Sequence, residues 1–588
     1  YLPSTWREAK IVVLHKPGKP DYTIPKAYRP ISLIRTISKG LEKAIAQRIS
    51  AHLEKMNKLP PMQFGARPRR STEQALSLLV EAIYRAWRSK RVLSLVTFDV
   101  QGAYNGVNKE VLQQRLLEVG IPRKLTEWVK SFCSDRKATI TFEGYNSASQ
   151  EIRHPGLPQG SPFSPILYII YNQGLLLGLR GEREGEMGFV DDYTAWTTGD
   201  LAEENTLAMQ EQVIPRITQW EKESGATFET EKTQLIHFTR TPEKAQRPWM
   251  PLRMGNTNIT PVTEAKVLGV ILDNQLRMRE HYAYAAKKAT QQVIQLGTLR
   301  GLSSQAMRQL YLSTVASKMD YAAAIWYKVK DKNAYLHHAF DRVQRIGARV
   351  ITGAFKTAAR ATIEAEAGLA PTTIRLQQKA MRFIVNLHTL PPDHPWWDER
   401  RKQRLNIVRY QSPLIQLQQE HHEAIAGKHN TPIETIQPFP RQPSQLSVGI
   451  QVTILLDREE AEEGVHSLLA PLFVDGSSRK GLSGVAVAWQ QNQAAQYYID
   501  TKKTPKSRGL RGGWATIWET VAWQEDANEY AAELQAIRQA LRMLRGQAVE
   551  RLPREVTICT DSQAAIQSIQ KTRQQSGQHL IQSILRLA

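Results

Sequence analysis

The sequence predicts a multidomain α/β chain: a mixed α/β segment first, a helical segment next, then a polar stretch and a second α/β segment. Three observations predict it. The chain has 588 residues, and a prior of about 150 residues per domain gives roughly three or four. The hydrophobic period changes along the chain, from short β-rich runs among helical stretches, to helical steps alone, and back again. Proline and polar residues gather between residues 391 and 466, where neither period holds.

Each segment follows from its own pattern. Residues 1–250 alternate strand-like runs (AKIVVLHK, VLSLVTFD) with helical stretches such as TEQALSLLVEAIYRAW. Over 251–390, AMRQLYLSTVASKMDYAAAIWY and LHHAFDRVQRIGARVITGAF place apolar residues at three- and four-residue steps and predict a helical domain studded with basic residues. Residues 391–466 (LPPDHPWWDERRKQR, TPIETIQPFPRQPSQ) are expected to be a linker. In 467–588, LFVDGSSRKGLSGVAVAW predicts two strands around a turn. EYAAELQAIRQALRML then predicts an amphipathic helix, and EVTICTDSQAAIQSI a strand running into a helix. No internal repeat or low-complexity tract interrupts this order.

Charge narrows the partners. With 78 Lys and Arg against 56 Asp and Glu, net charge +22, the chain suits a polyanion such as nucleic acid; ribosomal-type and membrane-surface basic proteins share that balance. The nearest approach to a membrane span, PILYIIYNQGLLLGL, is short and broken by Asn172 and Gln173, so no membrane partner is expected. Two cysteines, Cys133 and Cys559, imply no disulfide framework and make a reducing compartment the default. The first residue is Tyr1, with no charged-then-apolar leader after it, and a piece of a longer reading frame is expected.

FVDDYTAW places Asp191 and Asp192 between apolar and aromatic residues. Adjacent carboxylates repel each other and lose hydration when a strand carries them inward, so they persist at a solvated bend or around a cation. A surface hairpin is the plainer reading of the octapeptide alone. Upstream, Asp99 ends the apolar strand of VLSLVTFDVQGAYNGV. Nucleotidyl transfer needs two divalent ions about 3.5–4 Å apart, held by carboxylates shared between strands, and Asp99, Asp191 and Asp192 supply such a set. If FV and YT are the arms of a hairpin, the pair lies at its tip facing Asp99. Between them, HPGLPQGSPFSPILYIIYN has Gly156 and Gly160, which allow close backbone approach to a substrate, before an apolar run that reads as a buried helix. Tyr104, five residues after Asp99, could lie beneath an incoming sugar and exclude a 2′-hydroxyl, or simply pack.

These motifs, in this order, resemble the reverse transcriptases of non-LTR (LINE-type) retrotransposons, especially the Tad-like type of filamentous fungi. The resemblance covers nearly the whole chain: WREAKIVVLHKPGK, YRPISLIRTISKGLEKAIAQRI, QFGARPRRSTEQA, FDVQGAYNGV, GLPQGSP, FVDD, and TFETEKTQLIHF with KVLGVILD. It implies a right-hand polymerase of fingers, palm and helical thumb. Asp99, Asp191 and Asp192 become a metal-binding trio for two Mg²⁺ ions, Gln159 and Gly160 a loop on the forming base pair, and Lys232 a neighbour of the triphosphate. Lys16 and Arg29 match basic fingers positions that lean on incoming phosphates. The family often has Phe-Asp where this chain has Tyr104-Asn105, and that second position is not expected to bind metal. The implied partners are an RNA template, a DNA primer or target, dNTPs and the RNA–DNA hybrid.

Three further acids fall on three elements: Asp475, Glu533 and Asp561, spaced by 58 and 28 residues within FVDGSS, AELQAI and TDSQAA. They resemble the ribonuclease H site, in which carboxylates hold two Mg²⁺ ions across the RNA strand of a hybrid. The family pattern continues with another aspartate and a histidine-bearing loop, beyond Ala588 here, so a partial ribonuclease H-like domain is expected, its hydrolytic activity left open and hybrid binding retained.

Other signals stay unassigned. His421, His422 and His429 lack a ligand frame and read as solvated. Trp396 and Trp397 suit base stacking or docking of the linker equally, and RRKQR suits a solvated face, a nuclear-import signal or a phosphate contact. Two alternatives to a working polymerase remain: an RNA-binding scaffold that has lost catalysis, and an intron-encoded maturase, which normally lacks the ribonuclease H segment. Family biology implies an upstream endonuclease and an intracellular, nuclear location; no local signal separates that from a mitochondrial one.

Overall fold

The run VLSLVTFD forms a strand buried on both faces, and the first part of the molecule is built outward from it. This strand, β3 (Val92–Asp99), buries Val92, Leu93, Leu95, Val96 and Phe98. A strand covered on both sides reads as continuous rather than alternating hydrophobicity. Its sheet has the order β12-β9-β3-β8-β7, in which β8 (Asp192–Gly199) and β9 (Gln234–Phe238) flank β3 antiparallel. The hairpin partner of β8 is β7 (Glu184–Phe189), and β12 (Pro261–Val262) runs parallel to β9.

Helices cover this sheet. Helix α2 (Thr72–Arg88) packs against β3 and starts at a capping box: Ser71 Oγ accepts from Gln74 N at 3.2 Å, and Gln74 Oε1 accepts from Ser71 N at 3.0 Å. Apolar residues of α3 (Lys109–Glu118), α4 (Arg123–Phe132), α5 (Ser164–Tyr171) and α7 (Ile214–Ser224) join Val96 and Phe98 in one core. The run Ile166–Tyr171 is buried at every position, as expected of an apolar run after a Gly/Pro loop. Alongside lies a second sheet in which β1 (Glu8–His15) pairs antiparallel with β2 (Tyr28–Leu33) and parallel with β4 (Lys137–Phe142).

From residue 279 to 388 the described structure is helical, with its longer helices at Arg279–Leu296, His337–Thr352 and Thr372–His388. The model is a computed structural model, and it describes residues 2–176, 178–179, 181–241, 249–328, 337–402, 409–420, 433–439, 450–455, 457–466, 468, 471–479, 482–490, 514–523, 527–546 and 556–588. It divides into one unit of residues 1–387 with 392–420 and another of 388–391 with 421–588.

That division corrects the expected linker. Its residues 392–420 belong to the first unit, where helix Pro395–Lys402 packs on α2. The composition there reads as polar because several of the inward-facing side chains are themselves polar: Trp396, Leu414, Ile415 and Leu417 are buried, but so are His394, Glu399, Ser412 and Gln418. Arg85 of α2 pairs with Glu399, and Ser412 Oγ donates to the buried Glu81. Of the tryptophan pair, Trp396 is therefore a docking residue. His421, His422, His429 and the last two residues of RRKQR lie outside the described residues.

The second unit carries a sheet of order β17-β16-β15-β18. Strand β15 (Pro471–Arg479) pairs antiparallel with β16 (Leu482–Gln490), which pairs antiparallel with β17 (Trp514–Trp523); β18 (Thr557–Cys559) lies parallel to β15. Helix Glu529–Arg545 packs its apolar stripe on β15 and β16, and helix Gln578–Leu587 packs on that helix. Among the described residues, no helix is long and apolar enough to cross a membrane.

Candidate active site

The β7–β8 hairpin pairs Phe189 with Asp192, which leaves Val190 and Asp191 as its two-residue turn. In the next register, Asp192 faces Asp99 across β8 and β3. The sheet therefore carries one carboxylate at the end of its central strand and two on the adjoining hairpin. Crowding shows in their proton affinities. Burial raises the Asp191 carboxyl and the charge of Asp99 adds to it, while Lys232 works against both. Asp192 keeps surface at the rim of the site, yet loss of hydration, Asp191 and Asp99 together push it up to about 7.

A cationic neighbour balances this charge. Strand β3 continues through Val100, which bridges to Phe228, and Glu229 N donates to Asp99 O at 2.9 Å. The turn that follows brings Lys232 Nζ to 2.5 Å from Asp99 Oδ2 and 2.6 Å from Glu229 Oε2. Burial works against the ammonium, but these two carboxylates overcome it and hold the Lys232 pKa above its usual value. Lys16 is affected the other way: burial, then the charges of Lys232, Lys19 and Arg29, lower it. The expected residues Lys16, Arg29 and Lys232 thus share one positive field, a poor arrangement for each other and a good one for a polyphosphate.

The glycine loop joins the two sheets. Leu157 N donates to Tyr104 O at 2.7 Å, and Ser32 N on β2 donates to Gln159 O at 2.7 Å. Gly160 has φ 132°, and a Cβ there would lie 2.5 Å from Ser32 O. Gln159 and Gly160 are therefore fixed by backbone between β2 and the Tyr104 turn. The Tyr104 ring packs 5.3 Å from that of Tyr168, and burial followed by the charge of Asp191 pushes its phenol up to about 12, so it stays protonated near neutrality.

A family model described as reverse transcriptase (RNA-dependent DNA polymerase) matches residues 14–272, the stretch that holds every group above. Residues 14–272 are a reverse transcriptase domain. The chain is 27% identical over 393 residues to the probable RNA-directed DNA polymerase from transposon X-element of Drosophila melanogaster, covering 65% of this chain and 42% of the relative. It is 28% identical over 338 residues to the RNA-directed DNA polymerase from mobile element jockey of Drosophila funebris, covering 55% and 36%. The chain thus spans less than half the length of these relatives. A solved apo telomerase from Candida tropicalis aligns over 73% of this chain and 70% of its own at 13% identity, with a TM-score of 0.36, too low to carry an argument.

The second unit brings its three predicted acids together. One oxygen each of Asp475, Glu533 and Asp561 lie within 4.8 Å of one another, the one such set of three among the described residues. The reverse transcriptase acids share a field without reaching that closeness, and Asp99 gives one oxygen to Lys232. Asp475 is on β15, Asp561 follows β18, and Glu533 arrives from the helix between them. Glu533 Oε1 accepts from Gly476 N at 2.8 Å and Oε2 from Thr560 Oγ1 at 3.0 Å. Burial raises the Glu533 carboxyl; those hydrogen bonds lower it, and Asp561 and Asp475 raise it again. Gly476 is required by packing, since a Cβ there would lie 2.5 Å from the carbonyl carbon of Ala532.

Glu229, Gly476 and Thr560 were not singled out in sequence. Glu229 stands three residues before Lys232 in TFETEK, a spacing that could have marked it as an ion-pair partner.

Proposed function

We propose that the chain is an RNA-directed DNA polymerase of a non-LTR retrotransposon, of Tad-like type, that extends a primer 3′-hydroxyl with dNTPs on an RNA template. The observation that carries this reading is the opposition of Asp99 and Asp192 across β3 and β8, with Asp191 on the turn and Lys232, Lys16 and Arg29 alongside. Hard oxygen donors crowded until a carboxyl rises to about 7 suit a divalent cation, which relieves their repulsion. Mg²⁺, two ions in this reading, would be held by Asp99, Asp191 and Asp192, and when bound supplies charge neutralisation at the attacking and leaving oxygens.

The chain's own residues do the rest by position and charge. Lys16, Arg29 and Lys232 draw the triphosphate into the site. Lys232 can exchange its carboxylate partners for phosphate oxygens, because its Nζ already lies beside Asp99. The loop at Gln159 and Gly160 presents backbone to the forming base pair, and the protonated Tyr104 ring closes the site beneath the sugar against a 2′-hydroxyl. Basic helices beyond residue 279 contact hybrid phosphates, which makes binding salt-sensitive and largely sequence-blind.

The second unit is read as a ribonuclease H-like domain acting on the RNA–DNA hybrid. Asp475, Glu533 and Asp561 would hold Mg²⁺, and the strand order with the acid cluster supports that reading. A nuclear location follows from priming on chromosomal DNA.

Primer extension on an RNA template tests the main reading. Wild type is expected to synthesise DNA with Mg²⁺ and Asp191→Ala to lose at least about 10³-fold in rate. Equal silence of both proteins across metals and salt concentrations would favour the RNA-binding scaffold instead.

A further inference from the structure

The turn that carries Asp191 is held in a conformation its own residue resists. Val190 has φ 59°, the left-handed region, where a β-branched side chain is an outlier. Residues held there are strained and persist only where the surroundings enforce them. A two-residue hairpin turn with positive φ at its first residue alone normally places Gly there.

The enforcement comes from outside the hairpin. Gln63 Oε1 accepts from Val190 N at 3.3 Å and from Gly65 N at 3.0 Å. Asn172 Nδ2 donates to Val190 O at 2.6 Å. Both ends of the strained residue are therefore bonded, by side chains that are 0% and 4% exposed. The backbone adds a short ladder, Phe64 N to Gly188 O at 2.8 Å and Gly188 N to Met62 O at 3.0 Å. Gly65 lets this loop close on the turn, since a Cβ there would lie 2.5 Å from Val190 Cγ2.

The other halves of the two amides, Gln63 Nε2 and Asn172 Oδ1, are buried without a hydrogen-bond partner. An unsatisfied buried polar group is destabilising, so half of each amide works against stability at its position. The reason for each amide lies in what it holds.

We propose that Gln63 and Asn172 are positioning residues: together they clamp Val190 in its left-handed conformation and so fix where Asp191 and Asp192 present their carboxylates. Without the clamp, Val190 relaxes to negative φ, the peptide between 190 and 191 turns over, and Asp191 rotates away from Asp99. Gln63 precedes α2 in the QFG motif, and Asn172 is the residue after α5. Two stretches without a chemical role thereby acquire one. The inference rests on the reading of Asp191 and Asp192 as metal-binding acids.

The test is Gln63→Met and Asn172→Leu, each alone and combined with Val190→Gly, in steady-state primer extension of the full chain with thermal unfolding read beside it. Glycine adopts the turn without strain and needs no clamp. Each single variant is expected to lower kcat about 10–100-fold, with less than about a threefold change in KM for dNTP. It should also raise the Mg²⁺ concentration for half-maximal rate. Val190→Gly should then restore at least about tenfold of the lost kcat. Unchanged kcat in both single variants overturns the proposal, as does a loss that Val190→Gly does not recover. If Gln63→Met does not fold, Asn172→Leu decides alone. If neither folds, the two amides are core residues and the proposal fails. A wild type with no Mg²⁺-dependent extension would instead remove the underlying reading.

Discussion

Gly156→Ala separates backbone positioning from backbone strain at the reverse transcriptase site. Gly156 has φ 52°, and an alanine there pays the left-handed penalty of about 1–2 kcal/mol. Its Cβ would also lie 2.5 Å from Tyr104 O and 2.6 Å from Asn105 O, against an ordinary contact of 3.4 Å or more, so the two backbones must part by roughly 0.9 Å. Overpacking of that kind adds about 1–3 kcal/mol, giving a loss of about 2–5 kcal/mol in all. Gly120→Ala is the control: φ is 88°, nothing lies within 4 Å of its Cβ, and only the first penalty applies. Urea unfolding measures both. In primer extension, a shift approaching 1 Å beside the reacting groups costs about 10²-fold, so Gly156→Ala should fall by that order and Gly120→Ala by less than about threefold. Equal stability losses in the two variants, or near-normal extension by Gly156→Ala, would refute the claim that the Leu157–Tyr104 contact sets the site.

Four further outcomes follow from the same geometry. The raised Asp192 carboxyl predicts that its own contribution to the stability of the metal-free protein is fully present below the unfolded value near 4 and is lost as pH rises toward about 7; Asp192→Asn in EDTA should change the slope of thermal unfolding against pH over pH 5 to 7 by removing that contribution, and an unchanged slope would show that Asp192 is not crowded. Lys232→Met should raise KM for dNTP about tenfold and loosen discrimination between triphosphate and diphosphate, whereas a kcat loss with unchanged KM would remove its phosphate role. Tyr104→Ala should relax selection against ribonucleotides, and unaltered sugar selectivity would reassign the ring to packing against Tyr168. Glu533→Gln should abolish any Mg²⁺-dependent cleavage of an RNA–DNA hybrid while leaving primer extension intact; cleavage that survives would place the hydrolytic site elsewhere.

Much of the site was legible because it depends on local pattern. The apolar arms of FVDDYTAW suggest a hairpin with both aspartates at its tip, and the structure sets that tip one residue earlier, with Val190 and Asp191 in the turn and Asp192 opening β8; the five apolar residues before Asp99 announce a strand end. Asp475, Glu533 and Asp561 fall on strand, helix and strand end, but that pattern alone suits solvated surface acids, and it is the resemblance to a ribonuclease H site that singles them out. What stayed hidden depends on distant backbone. Gln63 and Asn172 bond to main-chain atoms of Val190, 127 and 18 residues away, and a bond to a peptide group leaves no trace in side-chain chemistry. The segment 392–420 was hidden for a different reason. Its buried positions include polar residues such as Glu399, Ser412 and Gln418, so composition suggests solvent while Trp396 and three aliphatic residues hold the segment in the first unit.

The central claim is that Asp99, Asp191 and Asp192 meet around the same divalent ions. Iron-directed cleavage measures this without relying on turnover: Fe²⁺ replaces Mg²⁺, peroxide generates radicals at the bound ion, and the peptide cuts are mapped by mass. The account predicts paired cuts next to residue 99 and next to 190–192, both suppressed by excess Mg²⁺ and both lost together in Asp191→Ala. Cuts at only one of these segments, or cuts that survive the substitution, would contradict it.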